Sequence, residues 1–249
     1  MATLSGKEIK NIRALAQKKF RQESGLFIAE GEKIVAEALS SSYKVREVYR
    51  ASEIGEECMK RISCLASGSP VLAVVEQKQY SVKDVLGEIL DSCKKYGNNS
   101  APLCLALDGV KDPGNLGTII RIADWFGVDA IFASPESVEV YNPKVVQSTM
   151  GAIFRKKVVY TPLAEVINEF TSKGLPVYGT FLDGENLYSK ELIKSGLIVM
   201  GSESFGISKE IEELITNKLL IPPYPADAVT SESLNVAIAT SIICAEFRR

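Results

Sequence analysis

The sequence contains no histidine among its 249 residues. Ser-His-Asp and Cys-His catalysis are therefore excluded, as is every metal centre that needs an imidazole ligand. The cysteines form no CxxC pair and are odd in number, so neither a zinc site nor a disulfide framework is indicated. We expect no metal, and we expect reduced thiols at the five cysteines, which are Cys58, Cys64, Cys93, Cys104 and Cys244.

Signals for a membrane or for secretion are also missing. No apolar run approaches the roughly 18 residues that a membrane span needs. The N-terminal stretch MATLSGKEIK lacks the charged-then-apolar layout of a signal peptide. We therefore expect a cytoplasmic protein with no membrane partner.

The net charge is only −2, so the chain as a whole does not indicate a nucleic-acid partner, which would have to meet a local basic patch. The first thirty residues offer such a patch, in which basic side chains outnumber Glu8, Glu23 and Glu30. A solvated helix face would show the same pattern. The basic side chains are Lys7, Lys10, Arg13, Lys18, Lys19 and Arg21.

A polar stretch divides the chain. DSCKKYGNNSAP, residues 91 to 102, has the composition of a linker. Before it, short β-branched runs alternate with helix-like stretches, which indicates a small α/β domain over residues 1–97. After it, six apolar runs from LCLALDGV to KLLIPP alternate with amphipathic stretches. This pattern predicts an α/β domain over residues 102–249, with a parallel sheet covered on both faces.

The segment DPGNLGTIIRIAD, residues 112 to 124, predicts a turn followed by an amphipathic helix. Its apolar residues recur at helical spacing, with Asn115 as a natural N-cap and Gly127 as a natural residue just beyond the C-terminus. Arg121 lies off the centre of the apolar stripe, and Trp125 lies one turn later on the same side. This combination indicates a surface that meets a partner. The predicted buried stripe consists of Leu116, Ile119, Ile120, Ala123 and Phe126.

Three loops each follow an apolar strand directly: DPGN (112 to 115), GSESFG (201 to 206) and IPPYPAD (221 to 227). Because parallel strands end at one edge of a sheet, we expect these loops to converge there on a ligand. Gly114, Gly201 and Gly206 would let the backbone approach it, although glycines also serve plain turns. None of the loops reads G-x-G-x-x-G or G-x-x-x-x-G-K-[ST], which disfavours a classical dinucleotide or ATP site.

Four segments in order, DPGNLGTIIRIAD, QSTMGAIFRKKV, LIVMGSESFGIS and SESLNVAIA, resemble the motifs of the SpoU (TrmH-type) 2′-O-ribose RNA methyltransferases of the SPOUT class. The resemblance spans roughly residues 103 to 249. The N-terminal GLFIAEGEKIVAEAL resembles the L30e-like substrate-binding domain that often precedes this catalytic domain.

The resemblance implies a trefoil knot, bound S-adenosylmethionine, and a homodimer packed through the first and last helices of the catalytic domain. It implies 2′-O-methylation of RNA, with the two-domain layout favouring ribosomal RNA of the large subunit (23S). The alternatives are a tRNA methyltransferase and a non-catalytic RNA-binding protein derived from the family. The RNA and the nucleotide are not identified by the sequence.

The resemblance also assigns residues. Asn115, Arg121, Glu203, Ser233 and Asn235 match its catalytic positions, while Asn115, Ser233 and Asn235 are also ordinary helix-start residues. Contacts to S-adenosylmethionine fall on Gly201, Ser202, Glu203, Ile221, Leu234 and Asn235.

Some positions depart from the family pattern, and one role stays open. Ser202-Glu203-Ser204 stands where Asn-Glu-Gly is common, Ile122 replaces a small hydroxyl residue, and the third-motif loop is about four residues longer, with Pro223 where methionine is common. Arg121 is expected to stabilise negative charge on the 2′-oxygen. Either Arg121 or Glu203 could accept the proton, and Glu203 could instead cap loop N–H groups.

Overall fold

The computed structural model describes residues 4–96, 102–225, 231 and 233–249, with the backbone alone at 90–96. The helices, in chain order, are α1 (Gly6–Ala14), α2 (Lys18–Ser24), α3 (Glu32–Ser40), α4 (Ala51–Ile54), α5 (Glu56–Ile62), α6 (Val82–Tyr96), α7 (Pro113–Trp125), α8 (Pro143–Thr149), α9 (Leu163–Ser172), α10 (Lys209–Glu212) and α11 (Val236–Arg248). The strands are β1 (Leu26–Glu30), β2 (Val45–Arg50), β3 (Val71–Glu76), β4 (Leu103–Asp108), β5 (Ile131–Ala133), β6 (Val158–Tyr160), β7 (Val177–Asn186), β8 (Gly196–Gly201) and β9 (Asn217–Leu220).

The chain forms two compact units, and the first is discontinuous in sequence. It consists of Met1–Gln79 together with Glu139–Arg155, while the second consists of Tyr80–Val138 together with Lys156–Arg249. The predicted linker, residues 91–102, does not mark the boundary between the two units. Helix α6 includes residues 91–96 of that linker and belongs to the second unit. Residues 97–101 of that linker lie outside the described part of the chain.

The first unit contains a three-stranded antiparallel sheet in the order β1-β3-β2. Phe27 on β1 is fully buried, and its ring lies 4.6 Å from that of Tyr141 and 6.3 Å from that of Phe154. Both of those rings come from the Glu139–Arg155 segment. The segment joins the first unit because its aromatic side chains complete that unit's core.

A buried ion pair joins this segment to the N-terminal helices. The Arg21 side chain is 2 % exposed and lies 2.6 Å from the Glu139 carboxylate. It also donates to the carbonyl oxygens of Leu15 and Ala16, which leaves the guanidinium well satisfied. Arg21 is therefore not part of a surface patch, and its inclusion there was wrong. The other five basic residues of the predicted patch are exposed.

The second unit is built on a six-stranded sheet in the order β6-β5-β4-β8-β7-β9. All five strand pairs are parallel, so the predicted parallel sheet is confirmed, as is each of its six strands. Every residue of β8 and all but the last residue of β4 are buried, as expected for central strands covered on both faces. The amphipathic stretch SKEIEELITN, between β8 and β9, forms only the single turn of α10.

Helices α7 and α11 of the second unit pack side by side and run parallel. Their first turns meet through a hydrogen bond of 2.9 Å between the side chains of Asn235 and Asn115. At their other ends Arg248 donates two hydrogen bonds of 2.8 Å to the carbonyl oxygens of Phe126 and Gly127. Both helices therefore direct the positive ends of their dipoles toward the same point.

The beginnings of these two helices differ from the prediction. Asp112, rather than Asn115, is the N-cap of α7, and its carboxylate accepts from the Asn115 backbone N–H at 2.8 Å. Pro113 occupies the first helical turn, which moves the cap to the residue before it. In α11 the N-cap is Asn235, so Ser233 precedes the helix. Gly127 has a φ of +62°, as predicted for the residue that ends α7.

Cys58, Cys64, Cys104 and Cys244 are thiols rather than disulfides, and two of them, Cys104 and Cys244, are buried. Burial raises the pKa of the Cys244 thiol to about 12. Burial and the nearby Glu30 carboxylate raise the pKa of Cys64 to about 11. Both thiols are therefore protonated near neutral pH and weakly nucleophilic. Cys93 lies in the part of α6 whose side chains are outside the described set.

No helix among the described residues is long and apolar enough to cross a membrane. The trefoil knot implied by the sequence resemblance stays a prediction.

The Arg21–Glu139 pair gives a stability prediction. Replacing Glu139 with alanine leaves a buried guanidinium without its counter-charge, which should lower the free energy of unfolding by about 3 kcal/mol. The matched control is Glu23→Ala, because Glu23 pairs with Lys19 at 4.0 Å on the exposed face of α2. That exposed pair should contribute less than about 0.5 kcal/mol. Denaturant unfolding followed by circular dichroism measures both; equal losses would contradict the assignment.

Candidate active site

The loops predicted to converge do meet at the carboxyl edge of the six-stranded sheet. Asn115, after β4, contacts Glu203, after β8. The loop after β8 and Ile221, after β9, line one common cavity. Ala226 and Asp227, the last two residues of the third predicted loop, lie outside the described part of the chain. The first two loops and the start of the third thus form one site, as parallel topology requires.

Three side chains at this edge form a hydrogen-bonded chain. Asn235 accepts from the backbone N–H groups of Ala237 and Ile238 at 2.9 and 3.3 Å. Its amide nitrogen donates to Asn115 Oδ1 at 2.9 Å, and Asn115 Nδ2 donates to Glu203 Oε1 at 2.5 Å. The first turn of α11 is thereby connected to a carboxylate in the loop that follows β8.

The direction of this chain follows from the helix. The first N–H groups of α11 have no partner within the helix and need an acceptor, which fixes the oxygen of Asn235 toward them. The amide nitrogen of Asn235 then points away from the helix, so Asn115 must present its oxygen to it. Asn115 consequently directs its own amide nitrogen at Glu203. This nitrogen is a donor and needs an acceptor, which the carboxylate of Glu203 provides.

The loop from Ser202 to Gly206 is closed by its own hydrogen bonds. Ser202 and Gly206 exchange two backbone hydrogen bonds of 2.9 Å, and Ser202 Oγ accepts from the Phe205 N–H at 3.1 Å. The acceptors for these loop N–H groups are thus oxygens of Ser202 and Gly206 rather than the Glu203 carboxylate. A side chain at Gly201 would overlap the backbone of Gly206 and Ile207, so this glycine is required by the loop itself.

A cavity of about 380 Å³ lies between this loop, the end of β9 and the start of α11. Five of the six residues predicted to contact a cofactor line it: Gly201, Ser202, Glu203, Ile221 and Leu234. The sixth, Asn235, is turned toward Asn115 instead. Ser233 also lines the cavity. The volume falls within the range of about 300–1,000 Å³ typical of small-molecule sites.

Sequence reasoning missed several walls of this cavity, above all Thr180, Phe181 and Leu182 within β7, directly after the residues that pair with β8. A signal was present, because the run PVYGTF is a parallel strand of the same sheet and must end at the same edge. Gly184 lies against the backbone of Leu219 with no room for a side chain, which keeps β7 and β9 in close approach beside the cavity.

Arg121 is the one predicted catalytic residue that lies neither in this hydrogen-bonded chain nor on the wall of the cavity. It follows Asn115 by six residues, which places it about 9 Å further along α7 and on another face of the helix. Its side chain is exposed, and within the described part of the chain it makes no hydrogen bond or ion pair. The single chain thus assembles Asn115, Glu203 and Asn235 without Arg121.

Comparison with known proteins matches both parts of the chain. Residues 102–245 match the SpoU rRNA Methylase family, and residues 6–83 match the MRM3-like substrate binding domain. The chain belongs to the SpoU rRNA methylase family. One relative of this SpoU protein is the 23S rRNA (guanosine(2553)-2′-O)-methyltransferase RlmP of Bacillus subtilis, which is 32% identical over 97% of this chain and 96% of its own length.

Solved structures of similar proteins extend over the whole SpoU chain. A structure described as an RNA methyltransferase of the TrmH family from Porphyromonas gingivalis is 35% identical, with a TM-score of 0.82 and 99% coverage of both chains. An AdoMet-bound rRNA methyltransferase from Sinorhizobium meliloti is 28% identical, with a TM-score of 0.84, covering 99% of this chain and 97% of that one. The predicted family and fold class are confirmed.

Among the described residues, no group of three or more Cys, Asp or Glu side chains is arranged to hold a metal ion.

The cap formed by Asn235 gives a second prediction. Replacing Asn235 with alanine removes the acceptor for two N–H groups of α11 and should lower the free energy of unfolding by about 1 kcal/mol. Asn235→Ser keeps a capping oxygen and should stay within about 0.5 kcal/mol of the wild type. Urea unfolding compares the two variants. An equal loss in both would show that Asn235 does not contribute to stability as a helix cap.

Proposed function

We propose that this SpoU protein transfers the methyl group of S-adenosylmethionine to a ribose 2′-hydroxyl of large-subunit (23S) ribosomal RNA. The observation that carries the proposal is the hydrogen-bonded chain from Asn235 through Asn115 to Glu203 at the rim of the cavity. The names of the relatives support an rRNA substrate over the tRNA and non-catalytic alternatives. An rRNA substrate also supports the expected cytoplasmic location, which stays a prediction.

The cavity beside the loop fits S-adenosylmethionine by its chemistry. Its apolar walls, which include Met200 and Leu219, suit the faces of an adenine ring, while Ser202, Glu203 and Ser233 offer polar groups to the ribose and the amino acid. When bound, the cofactor supplies an electrophilic methyl group on a sulfonium ion. We place Gly201, Ser202, Ile221 and Leu234 in contact with it.

Transfer would form one O–CH₃ bond as the S–CH₃ bond of the bound cofactor breaks, and the hydroxyl proton would pass to solvent water. Because the donor is already activated, the protein's contribution is to align the hydroxyl with the methyl group and to stabilise the charge that develops on oxygen. A guanidinium suits the second task, since it titrates above about 12 and stays positively charged. We assign that role to Arg121.

Glu203 and Asn235 act by holding Asn115. The amide of Asn115 is fixed from both sides, so it can present itself to the ribose without rotating. Preorganised groups of this kind contribute more to a transition state than groups that must first reorient. Glu203 is accordingly a positioning residue whose Oε1 is already engaged by Asn115.

Arg121 reaches the site from a second copy of the chain. Both α7 and α11 expose large apolar residues: Trp125, the last residue of α7, is 85% exposed, and Ile238, in the first turn of α11, is 55% exposed. Exposed apolar residues of this size on adjacent helices support an interface between copies. Arg121 is exposed on the same helix as Trp125, so dimerisation through these helices would carry it into the partner's site. A homodimer is therefore part of the proposal.

Mixed dimers test this arrangement. Arg121→Ala should reduce methyl transfer to 23S rRNA by roughly 100-fold or more while the fold and the dimer are kept. Glu203→Ala should also be strongly impaired. If Arg121 acts across the interface, an equimolar mixture of the two variants should recover about a quarter of wild-type turnover, because half the dimers are mixed and each has one complete site.

Each variant refolded alone is the control for the mixture, and sedimentation reports the dimer. No recovery in verified mixed dimers would place Arg121 in the site of its own chain. Unchanged turnover of Arg121→Ala would remove this residue from the mechanism.

The first unit is proposed to capture the RNA, as its match to a substrate-binding domain supports. Lys7 and Lys10 on α1, and Lys18 and Lys19 on α2, are exposed and suited to phosphate contacts. Deleting residues 1–97 is a poor test of this role, because it would strip α6 from the second unit and uncover Tyr141 and Phe154. Charge neutralisation avoids both problems.

Two double variants, Lys7→Gln/Lys10→Gln and Lys18→Gln/Lys19→Gln, should weaken RNA binding. Each lost phosphate contact should reduce the slope of log affinity against log salt by about 0.7 to 0.9. Fluorescence anisotropy with labelled 23S rRNA fragments measures the slope, and calorimetry should show unchanged S-adenosylmethionine binding. Lys60→Gln/Lys173→Gln, which removes two exposed lysines elsewhere, is the control. An unchanged slope in both test variants would mean that these lysines are only a solvated helix face.

A further inference from the structure

A second cavity, of about 440 Å³, lies on the other side of the loop that bounds the first one. The two cavities share Ser202, Phe205 and Gly206 as a common wall. The second cavity is otherwise enclosed by the carboxyl ends of β4 and β5 and by the first turn of α9. None of the residues assigned to catalysis lines it.

The charge of the second cavity is negative. Asp108, Glu136 and Glu210 line it, against the single cation Lys111. Asp108 is engaged, because it accepts from the Ser208 N–H at 2.7 Å. Glu136 and Glu210 are exposed and make no hydrogen bond or ion pair to another residue of the described chain. A phosphate group would be repelled here, whereas N–H donors would be accepted.

One wall of the second cavity is aromatic. Phe205 is 85% exposed at the tip of the loop, although the backbone of the loop is held in place by the bonds between Ser202 and Gly206. An exposed aromatic ring on a fixed loop is a surface on which a nucleobase can stack. The aromatic ring can stack on the face of a base, and the carboxylates on the rim can accept hydrogen bonds from N–H groups on its edge.

We propose that the second cavity holds a nucleobase of the RNA that neighbours the methylated nucleotide. The base stacks on Phe205, and N–H groups on its edge donate to the carboxylates of Glu136 and Glu210. This inference rests on the proposed function, because the shared loop places the second cavity beside the methyl-transfer site. It makes Phe205, Glu136 and Glu210 determinants of which RNA sequence is methylated.

Charge neutralisation at the rim distinguishes base recognition from simple proximity to RNA. If Glu136 and Glu210 accept hydrogen bonds from a base, Glu136→Ala/Glu210→Ala, which removes both acceptors, should raise the KM for unmethylated 23S rRNA roughly 10-fold. If they only lie near the RNA, removing two negative charges should lower the KM, because repulsion of the phosphates is relieved. The two accounts therefore predict opposite signs. An unchanged or lowered KM would overturn the inference.

The matched control is Glu213→Ala. Glu213 is exposed just after α10, like Glu210 within it, but it does not line the second cavity. Its neutralisation should leave the KM unchanged or slightly lower. A rise in KM equal to that of the rim variant would mean that the effect is a general one of surface charge and would also overturn the inference.

A second pair of variants tests the aromatic wall. Phe205→Leu keeps an apolar side chain but removes the ring, and it should raise the KM for the RNA roughly 10-fold. Phe205→Tyr keeps an aromatic ring and should leave the KM for the RNA close to the wild-type value. Because Phe205 also borders the first cavity, calorimetry with S-adenosylhomocysteine accompanies both variants. A loss of this affinity with an unchanged KM for RNA would assign Phe205 to the cofactor cavity alone.

The inference and the proposed function fail in different ways. The first test uses 23S rRNA isolated from a strain that lacks this protein. If the wild-type protein transfers no methyl group to that rRNA, the proposed function fails. If the wild type is active and none of the rim or Phe205 variants raises the KM, the proposed function stands and only the base-binding role of the second cavity is lost.

Discussion

The candidate active site depends on the need of a helix terminus for a hydrogen-bond acceptor. Two N–H groups at the start of α11 are satisfied by the side-chain oxygen of Asn235. Rotating that amide would set its NH₂ group against the same N–H groups and forfeit the cap, at a cost of about 1 kcal/mol. The fixed amide of Asn235 donates to Asn115 and sets its orientation, and Asn115 in turn donates to the Glu203 carboxylate. A local rule of helix capping thereby fixes groups on three separate chain segments.

Helices α7 and α11, which run parallel, are held together at both ends. Arg248 holds the far ends of the two helices together while Asn115 and Asn235 join the near ends. Two helix N-termini then face the Glu203 carboxylate, and their dipoles favour negative charge at that position. A helix pair tied at both ends keeps Asn115 and Asn235 within hydrogen-bonding distance.

Much of the second unit could be predicted from the sequence, because apolar runs and parallel topology leave few alternatives. The six strands and the meeting of their following loops are dictated by burial and by strand direction. The cap of α7 was also readable, since a proline at the first helical position makes the preceding Asp112 the N-cap. Asn115 is freed by this cap to use its side chain in the site.

Other features could not be read from the sequence, because they depend on contacts between distant residues. Arg21 looks like one more surface cation until Glu139, 118 residues away, is placed beside it. The rings of Tyr141 and Phe154 pack on Phe27, which no local pattern indicates. Arg121 shows the limit for the site, because the fold of a single chain leaves it apart from Asn115, Glu203 and Asn235.

The loop after β8 combines a fixed backbone with variable side chains. Gly201 has no room for a Cβ, and the hydrogen bonds between Ser202 and Gly206 close the loop, so its path is set by its own packing. Glu203, Ser204 and Phe205 project from this frame, and the altered second motif, Ser-Glu-Ser in place of Asn-Glu-Gly, falls within it. Since the backbone is held independently of these side chains, substitutions there can change what the two cavities bind while Glu203 remains within reach of Asn115.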